Sequence, residues 1–466
     1  MRWRPGVGAL VGLFAASLVA CAPATTQPAA DVHDPGVRGG PPGAGGPLPG
    51  LTAEETAFFN EGRDRFLEIE SVVGSEDIGL GPRFNSNQCA SCHSQPDIGG
   101  TSPAANPLIA VATLEGARNT VPWFITKDGP VREVRFKRNR DGGPDGGVHA
   151  LFVISGRSDA PGCGIAQPDF LPAGDPRTGR GGNPNITFRI PTPVFGAGLI
   201  EAIPDSTIVG SMTANAARNM QLGVHGHPNA HISGTANHSA NDGTITRLGW
   251  KAQNKSLLIF AAEAYNVEMG VTNQVFPQER DETPGCLFNA TPEDTLSFGA
   301  SPDTAVLSDT EAFANFMRML APPVPASDTP SIASGRTLFT TAGCAACHTP
   351  SLTTGQRIAS GSSAVPSVAL SGRTANLYSD LLVHNMGSDL QDGITQGAAG
   401  PDEFRTAPLW GVGQRVFFLH DGRTTNLVVA IEAHRSHGSE ANQVIEKFNK
   451  LSAREQQAII DFLRAL

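Results

Sequence analysis

The sequence lacks an excess of positive charge and, after its first twenty residues, any long apolar run. Lys and Arg number 34 against 44 Asp and Glu, which gives a formal net charge of −10. This balance argues against a nucleic-acid partner, because phosphate binding needs a basic surface. No segment beyond residue 20 is apolar enough to span a bilayer. The chain is instead rich in Gly (53) and Pro (36), which predicts long loops beside the helices.

The first twenty residues predict export from the cell. A basic start precedes an apolar run over residues 6–16, which is too short for a membrane span. Leu18-Val-Ala-Cys21 follows and is typical of a bacterial lipoprotein signal. We expect a signal peptide over residues 1–20, a lipid on Cys21 and a periplasmic body in the cell envelope, with the outer membrane preferred. An ordinary signal peptide that happens to contain a cysteine is the alternative.

The segment that follows the signal peptide predicts a tether. Residues 21–50 are rich in Pro, Gly and Ala and contain almost no large apolar side chain, so they cannot form a core of their own. We expect them to be disordered and to connect the lipid to the folded body. The lipid is then the only expected contact with the membrane.

Four of the seven cysteines belong to two Cys-x-x-Cys-His motifs. In this spacing two thiols can reach the two vinyl groups on one edge of a haem, and the next residue presents its imidazole to the iron. A zinc site built from the same pairs is less favoured, because the motifs lie in opposite halves of the chain. The motifs predict two covalently bound c-type haems, attached through Cys89 and Cys92 and through Cys344 and Cys347, with His93 and His348 as proximal iron ligands.

Two further cysteines, Cys163 and Cys286, remain after the lipid and haem motifs. Each follows a Pro-Gly dipeptide, which is typical of a loop. Spare thiols in an exported protein usually pair, so we predict a disulfide between them. Two buried free thiols are the alternative.

The pattern of apolar residues predicts a mainly α fold with two cytochrome-c-like haem domains. The N-terminal domain, residues 51–320, is enlarged by long loops and short strands. A Pro/Ser/Asp-rich stretch over residues 321–330 marks the boundary, and a C-terminal cytochrome c domain covers residues 328–466. A helix leads directly into the second haem motif and an apolar helix ends the chain, which is the general layout of a cytochrome c.

The sixth ligand of each iron decides whether it only transfers electrons or can also react. For the second haem, the candidates are Met386, His384, His420, His434 and His437. In a cytochrome c layout this ligand comes shortly before the last helix, which favours His434 or His437 over Met386. His434 also follows an apolar run that could lay its ring over the haem.

The first haem has no such favoured ligand. Met269, His149 and Glu268 are all candidate neighbours of its iron. Met269 is a possible distal ligand, whereas Glu268 could serve a reactive iron whose sixth position stays open.

Longer motifs surround and separate the two haem-binding sequences. They are Gly81–His93 with the following Gly99-Gly100-Thr-Ser-Pro, Arg189–Gly196, Gly249–Ala252, Glu268–Gly270, Phe404–Gly411 and Leu419–Arg423. Together they resemble, over residues 51–466, the bacterial di-haem oxidoreductase family of peroxidase-like proteins, which is distantly similar to the di-haem cytochrome c peroxidases. The resemblance implies one haem that reacts with peroxide and a second haem that stores and relays an electron.

The resemblance also implies roles for single residues. In the relatives, the sixth ligand of the second haem lies fourteen residues after the His of a Phe-His-x-Gly segment, and the same count from His420 reaches His434. A carboxylate in a Val-Glu-Met sequence catalyses proton transfer in the relatives, and Glu268 occupies that place here. Trp250 is the nearest counterpart of a Trp that relays electrons. The relatives carry Gln where this chain has Leu258, which leaves room for an oxidant or substrate other than hydrogen peroxide.

These observations predict an envelope di-haem oxidoreductase that is peroxidase-like, with a reactive N-terminal haem and an electron-relay C-terminal haem. Its expected partners are an envelope protein that donates or accepts electrons and a small substrate such as peroxide. The main alternative is a lipid-anchored electron carrier without a catalytic site, in which both irons have two protein ligands. A redox sensor, or a structural lipoprotein that uses haem as a folding element, is the third possibility.

Overall fold

The computed structural model describes residues 1, 32–74, 77–81, 83–110, 121–149, 152–153, 160–166, 170, 185–230, 245–278, 283–295, 307–358 and 366–466. This part of the chain is mainly helical and contains only short strands, as predicted. Its helices are α1 (Ala53–Leu67), α2 (Cys89–Cys92), α3 (Ala197–Glu201), α4 (Asp205–Gln221), α5 (Leu257–Met269), α6 (Asp309–Met319), α7 (Pro330–Ala342), α8 (Leu427–Glu432), α9 (Asn442–Asn449) and α10 (Ala453–Ala465).

Local signals in the sequence define where several helices begin and end. The Thr52 side chain accepts a hydrogen bond from the Glu55 amide, and the Glu55 side chain accepts one from the Thr52 amide, which starts α1. Ser452 and Glu455 start α10 in the same way. The helix α7 has Pro330 in its first turn and stops at Gly343, whose φ of 105° is disfavoured for other residues.

The strands pair in small antiparallel sheets. They are β1 (Arg83–Phe84), β2 (Glu133–Phe136), β3 (Val148–His149), β4 (Phe152–Val153), β5 (Ile186–Arg189), β6 (Leu352–Thr353), β7 (Thr374–Ala375), β8 (Val383–Asn385) and β9 (Glu403–Arg405). The pairs are β1 with β4, β6 with β7 and β8 with β9, and β2 lies between β3 and β5. The pairings among β1 to β5 bring loop-rich segments of the first half close to one another.

The hydrophobic cores do not follow the predicted domain limits of 51–320 and 328–466. The smaller core contains Ile332 and the last helix, as expected for the C-terminal domain. The larger core, however, includes Leu352, Leu370 and other apolar residues up to Trp410, all from the second half. The cause is a contact between β6 and α4 of the first half, which brings Leu352 into the larger core.

The predicted tether needs a correction for residues 32–50. Within this stretch, Asp34 pairs with Arg464 of the last helix, with an Nη2–Oδ2 distance of 2.6 Å, and accepts a hydrogen bond from the Leu427 amide. Further on, Leu48 is buried and donates its amide hydrogen to the Met319 carbonyl. A segment that cannot form its own core can thus be fixed by polar groups of its neighbours. The signal peptide and Cys21 lie outside the described residues.

A disulfide joins the two remaining cysteines, as the sequence analysis predicts. The Cα atoms of Cys163 and Cys286 are 4.9 Å apart, and both side chains are buried. The bridge connects two loop segments of the first half of the chain. Among the described helices, none combines the length and apolar character that crossing a membrane requires.

Candidate haem sites

The first Cys-x-x-Cys-His motif forms a single turn of chain. The thiols of Cys89 and Cys92 lie at the two ends of α2, and the His93 amide donates to the Cys89 carbonyl over 3.1 Å. The His93 Nδ1 group donates to the Gly100 carbonyl over 3.0 Å, and the Thr192 backbone makes a further hydrogen bond with the ring. Burial lowers the pKa of His93 to about 4, so the ring is neutral at pH 7, as a metal ligand requires.

The second motif repeats this arrangement after α7. A 3₁₀ turn over Cys344–Ala346 carries the first thiol, and the His348 amide donates to the Cys344 carbonyl over 3.0 Å. The His348 Nδ1 group donates to the Tyr378 carbonyl over 3.0 Å. Burial, assisted by the nearby His434 ring, lowers the pKa of His348 to about 4. Each motif therefore presents two thiols and one imidazole on the same turn.

Each motif lines a large cavity. The space around the first motif is about 1190 Å³ and the space around the second is about 1410 Å³, counting the parts open to solvent. All four motif cysteines are free thiols that no disulfide consumes. The second cavity is walled mostly by apolar side chains, among them Phe339, Val412, Phe418, Ile431 and Leu463. A flat, largely apolar macrocycle matches such walls.

Two buried arginine side chains in the wall of the second cavity indicate whether a haem fits there. The guanidinium groups of Arg405 and Arg415 are both buried and both line this cavity. Burial lowers the pKa of each to about 10, and no carboxylate of the described residues forms an ion pair with either. A buried cation needs an anion to offset its lost hydration. The two propionate groups of a haem supply such anions, so the side chains present fit this cofactor.

His434 lies in the second cavity together with His348. It follows α8, and its Nδ1 group donates to the Ala430 carbonyl over 2.8 Å, so Nε2 remains available. His437 is exposed and does not belong to the lining. Met386 lines the same cavity but packs in the cluster around Trp250. The geometry thus favours His434 over His437. That His434 binds the iron stays a prediction.

The other two histidines proposed for the second iron have different surroundings. His384 uses both ring nitrogens, one 3.0 Å from Asp380 Oδ2 and the other 2.8 Å from Glu440 Oε2. This double pairing leaves no nitrogen for a metal. The His420 ring stacks on Phe404 with 4.4 Å between the ring centroids. Both side chains therefore have structural partners that account for their burial.

Glu268 lines the first cavity near the end of α5. Its Oε2 atom accepts a hydrogen bond from Asn85 Nδ2 over 2.6 Å, and its carboxyl group also bonds Glu133. Burial, followed by the negative charge of Glu133, raises the pKa of Glu268 to about 8. A carboxyl group with this pKa can both hold and release a proton near neutral pH.

Met269 and His149, the other two candidates for the first iron, have different surroundings from Glu268. The Met269 sulfur lies 3.8 Å from Cys89 Sγ, so it would sit beside the edge of the haem that the thiol joins. An axial ligand has to lie over the centre of the ring instead. His149 belongs to β3, and its side chain lies outside the described part of the structure. The described geometry therefore favours Met269 as a packing residue.

Sequence reasoning missed four polar residues of the first cavity. Glu133 and Arg135 of β2 form an ion pair beside Glu268, and Asn85 bonds Glu268 directly. The alternation of Glu and Arg along β2, which places both on one face, is a signal that could have found them. Gln253 also lines this cavity, whereas Leu258 does not. An amide side chain is thus present there, although at another position than the one the resemblance implies.

Trp250 contributes to the walls of both cavities. Its indole nitrogen donates to the Ile190 carbonyl over 2.9 Å, which fixes the ring, and its centroid lies 6.4 Å from that of His420. A fixed aromatic ring between two redox centres is a suitable position for an electron relay. This placement agrees with the role that the resemblance implies, and the role itself stays a prediction.

Two solved structures share a weak similarity with this chain. The chain is similar to the hydrazine synthase of Kuenenia stuttgartiensis, with 16% identity and a TM-score of 0.22, over 39% of this chain and 59% of that one. It is also similar to the diheme peroxidase BthA of Burkholderia thailandensis, with 16% identity and a TM-score of 0.28, over 47% of this chain and 65% of that one. The matches thus span less than two thirds of either solved chain. No curated protein shows a significant match.

The family comparison covers the larger part of the sequence. The family described as "Di-haem oxidoreductase, putative peroxidase" matches residues 183–466, which is more than half of the chain and includes the second haem motif, Trp250 and Glu268. The chain belongs to the di-haem oxidoreductase family.

Proposed function

We propose that this protein is a peroxidase-like di-haem c-type cytochrome in which the first haem reacts with peroxide and the second relays electrons. The observation that carries the proposal is the contrast between the two cavities. The first contains Glu268, a carboxyl group with a pKa of about 8, whereas the second contains His434 with a free nitrogen. An acid–base group suits a reactive iron, and a second imidazole suits an iron that only transfers electrons.

Glu268 is positioned for the proton transfer that breaks an O–O bond. When bound, each haem supplies an iron that exchanges single electrons and, where its sixth position is open, can bind peroxide. Glu268 takes the proton from the near oxygen of the peroxide and returns it to the far oxygen, which leaves as water or an alcohol. The hydrogen bond from Asn85 orients the carboxyl group, and burial together with the charge of Glu133 raises its pKa to about 8, so it can hold the proton that it has taken.

The proposal also includes the location and the attachment of the cofactors. We propose that thioether bonds to Cys89, Cys92, Cys344 and Cys347 hold the haems in two domains, of which the first is enlarged by loops and strands. An envelope electron-transfer protein supplies electrons, and a lipid on Cys21 anchors the periplasmic body. Mass spectrometry of the denatured chain tests both modifications, because two haems and a diacylglyceryl group each add a defined mass.

Electron paramagnetic resonance of the purified protein, fully oxidised and half-reduced, tests the function. We expect a high-spin ferric signal in at least one state that changes on adding peroxide. The Glu268→Gln variant should keep both haems and lose about 10²–10⁴-fold in peroxidase kcat. Two low-spin irons in both states, indifferent to peroxide, would show that the protein is an electron carrier. Full activity in Glu268→Gln would remove Glu268 from the mechanism.

A further inference from the structure

An open cleft lies next to the first cavity. Its walls come from the turn before β3, from α5 and from two loops, residues 275–278 and 394–396. The cleft encloses about 1250 Å³, including the part open to solvent. Its volume exceeds that needed by hydrogen peroxide, which has only two heavy atoms. The cleft therefore has room for a much larger molecule.

Three residues belong to both the cleft and the first cavity. Arg135, Glu263 and Val267 line each of them, so the two spaces meet at these side chains. Arg135 is held by its ion pair with Glu133 and by a 2.9 Å hydrogen bond to the Gly146 carbonyl. Glu263 accepts a hydrogen bond from Asn254. The cleft therefore meets the cavity that contains Glu268 at these side chains, and polar contacts hold Arg135 and Glu263 in place.

The lining of the cleft indicates the chemistry of its ligand. Val275, Phe276, Pro277 and Ile394 provide apolar surface, and Gln278, Thr395 and Gln396 provide groups for hydrogen bonds. The charged residues of the lining are one cation, Arg135, and two anions, Asp145 and Glu263. The excess of negative charge disfavours an anionic ligand, because like charges repel across a desolvated surface. The lining suits a neutral molecule with an apolar body.

We infer that this cleft binds the organic body of a neutral organic hydroperoxide, whose peroxide group passes between Arg135, Glu263 and Val267 to reach Glu268. This inference rests on the proposed function. In the reaction, the hydroperoxide ROOH takes up two electrons and two protons and yields ROH and water. The O–O bond breaks, the protons come from solvent through Glu268, and the electrons come from a one-electron protein donor.

A bulky substitution at the mouth of the cleft tests the inference. Thr395 is exposed there, and Val368 is an exposed residue that does not belong to the cleft. We expect Thr395→Trp to lower kcat/KM for cumene hydroperoxide about tenfold while changing kcat/KM for hydrogen peroxide much less. The Val368→Trp control should leave both values unchanged. Equal losses for the two peroxides in Thr395→Trp, or no loss, would overturn the inference.

Ligand binding gives a readout that does not depend on turnover. Cyanide is small and should bind the first haem equally fast in all variants, whereas the larger 4-phenylimidazole should bind about tenfold more slowly in Thr395→Trp. An unchanged rate for 4-phenylimidazole, with normal cyanide binding, would overturn the inference about the cleft and leave the proposed function intact. If cyanide binds neither the oxidised nor the half-reduced wild type, the first iron is closed and both proposals are wrong.

Discussion

The carboxyl pair formed by Glu268 and Glu133 predicts a specific pH dependence. Burial and the charge of Glu133 raise the pKa of Glu268 to about 8, so Glu268 holds a proton below that pH. The proposed step begins when Glu268 takes a proton from peroxide, which only its carboxylate form can do, and kcat should therefore rise as the pH rises through about 8. In Glu133→Gln the negative charge is gone, which lowers the pKa of Glu268, and the rise should move to lower pH.

The pH profile of kcat for the two proteins provides the measurement. Glu54→Gln, an exposed substitution in α1, serves as the control and should reproduce the wild-type profile. A profile that moves to higher pH in Glu133→Gln would contradict the pairing of the two carboxyl groups.

The two histidines after α8 form a matched pair for testing the second iron. His434 lines the cavity with a free nitrogen, and His437 is exposed. His434→Ala should remove the sixth ligand and convert the second haem from low spin to high spin, which electron paramagnetic resonance detects. His437→Ala should leave the spectrum unchanged. The reverse result, or no change in either variant, would exclude His434 as the ligand. Met386 would then be the next candidate to test.

The haem-binding residues could be predicted from sequence because their geometry is local. Two thiols and an imidazole within five consecutive residues must lie on one turn, whatever the rest of the chain does. Glu133 and Arg135 could not be assigned in this way, since they approach Glu268 from a strand that lies far earlier in the chain. The positions of such residues depend on how β2 packs against α5, and this packing follows from the whole fold.

At the scale of single elements, the packing of α7 against α10 determines the direction from which the chain enters the second haem motif. Gly335 of α7 lies so close to α10 that a Cβ atom there would come within 1.8 Å of the Ala458 carbonyl oxygen. The two backbones therefore cross in close contact, and Gly343 then ends α7 immediately before Cys344. The close crossing fixes the direction from which the chain enters the haem-binding turn.

This crossing predicts a destabilised second half in Gly335→Ala. The added methyl group has no space, and relieving the clash should lower the free energy of unfolding by about 1–3 kcal/mol. Urea unfolding, followed by the absorbance of the haems, measures the change. Ser334→Ala, at the exposed neighbouring position, is the control and should have little effect. A fully stable Gly335→Ala protein would show that the helices can move apart without cost.

The limits of the helices and strands could be predicted better than which elements pack against their apolar faces. The apolar stripe near the C-terminus is buried as predicted, with Ile459, Ile460 and Phe462 facing the smaller core. The predicted domain boundary, in contrast, did not anticipate that β6 and β7 pack into the larger core. An apolar face shows that a segment is covered but does not show which element covers it.

For the molecule as a whole, the segment over residues 32–50 connects both cores. The ion pair between Asp34 and Arg464 is its main anchor, and the two side chains are 3% and 5% exposed. Burial alone would raise the pKa of Asp34, but hydrogen bonds from Arg464 and from backbone amides lower it overall. The stability that this group contributes is therefore present above the pKa of the unfolded chain and is lost as the pH falls.

Replacing this buried charge should destabilise the protein. In Asp34→Asn the guanidinium of Arg464 loses its partner, which should cost about 3 kcal/mol of unfolding free energy and weaken the acid dependence of Tm. Thermal unfolding at several pH values provides the measurement. Asp328→Asn breaks an exposed pair with Arg336 and serves as the control, for which we expect little change. Equal small effects in both variants would mean that the segment is only loosely attached.

The anchoring of Asp34 has a consequence for the proposed lipid anchor and the proposed redox partner. Asp34 lies thirteen positions after Cys21, and a fully extended chain of that length reaches roughly 45 Å. A lipid on Cys21 would thus hold the last helix, and with it the second haem motif, within about one protein diameter of the bilayer surface. Encounter with a membrane-bound electron donor would then become a search in two dimensions, in which the local concentration of the donor and not its bulk concentration limits the rate.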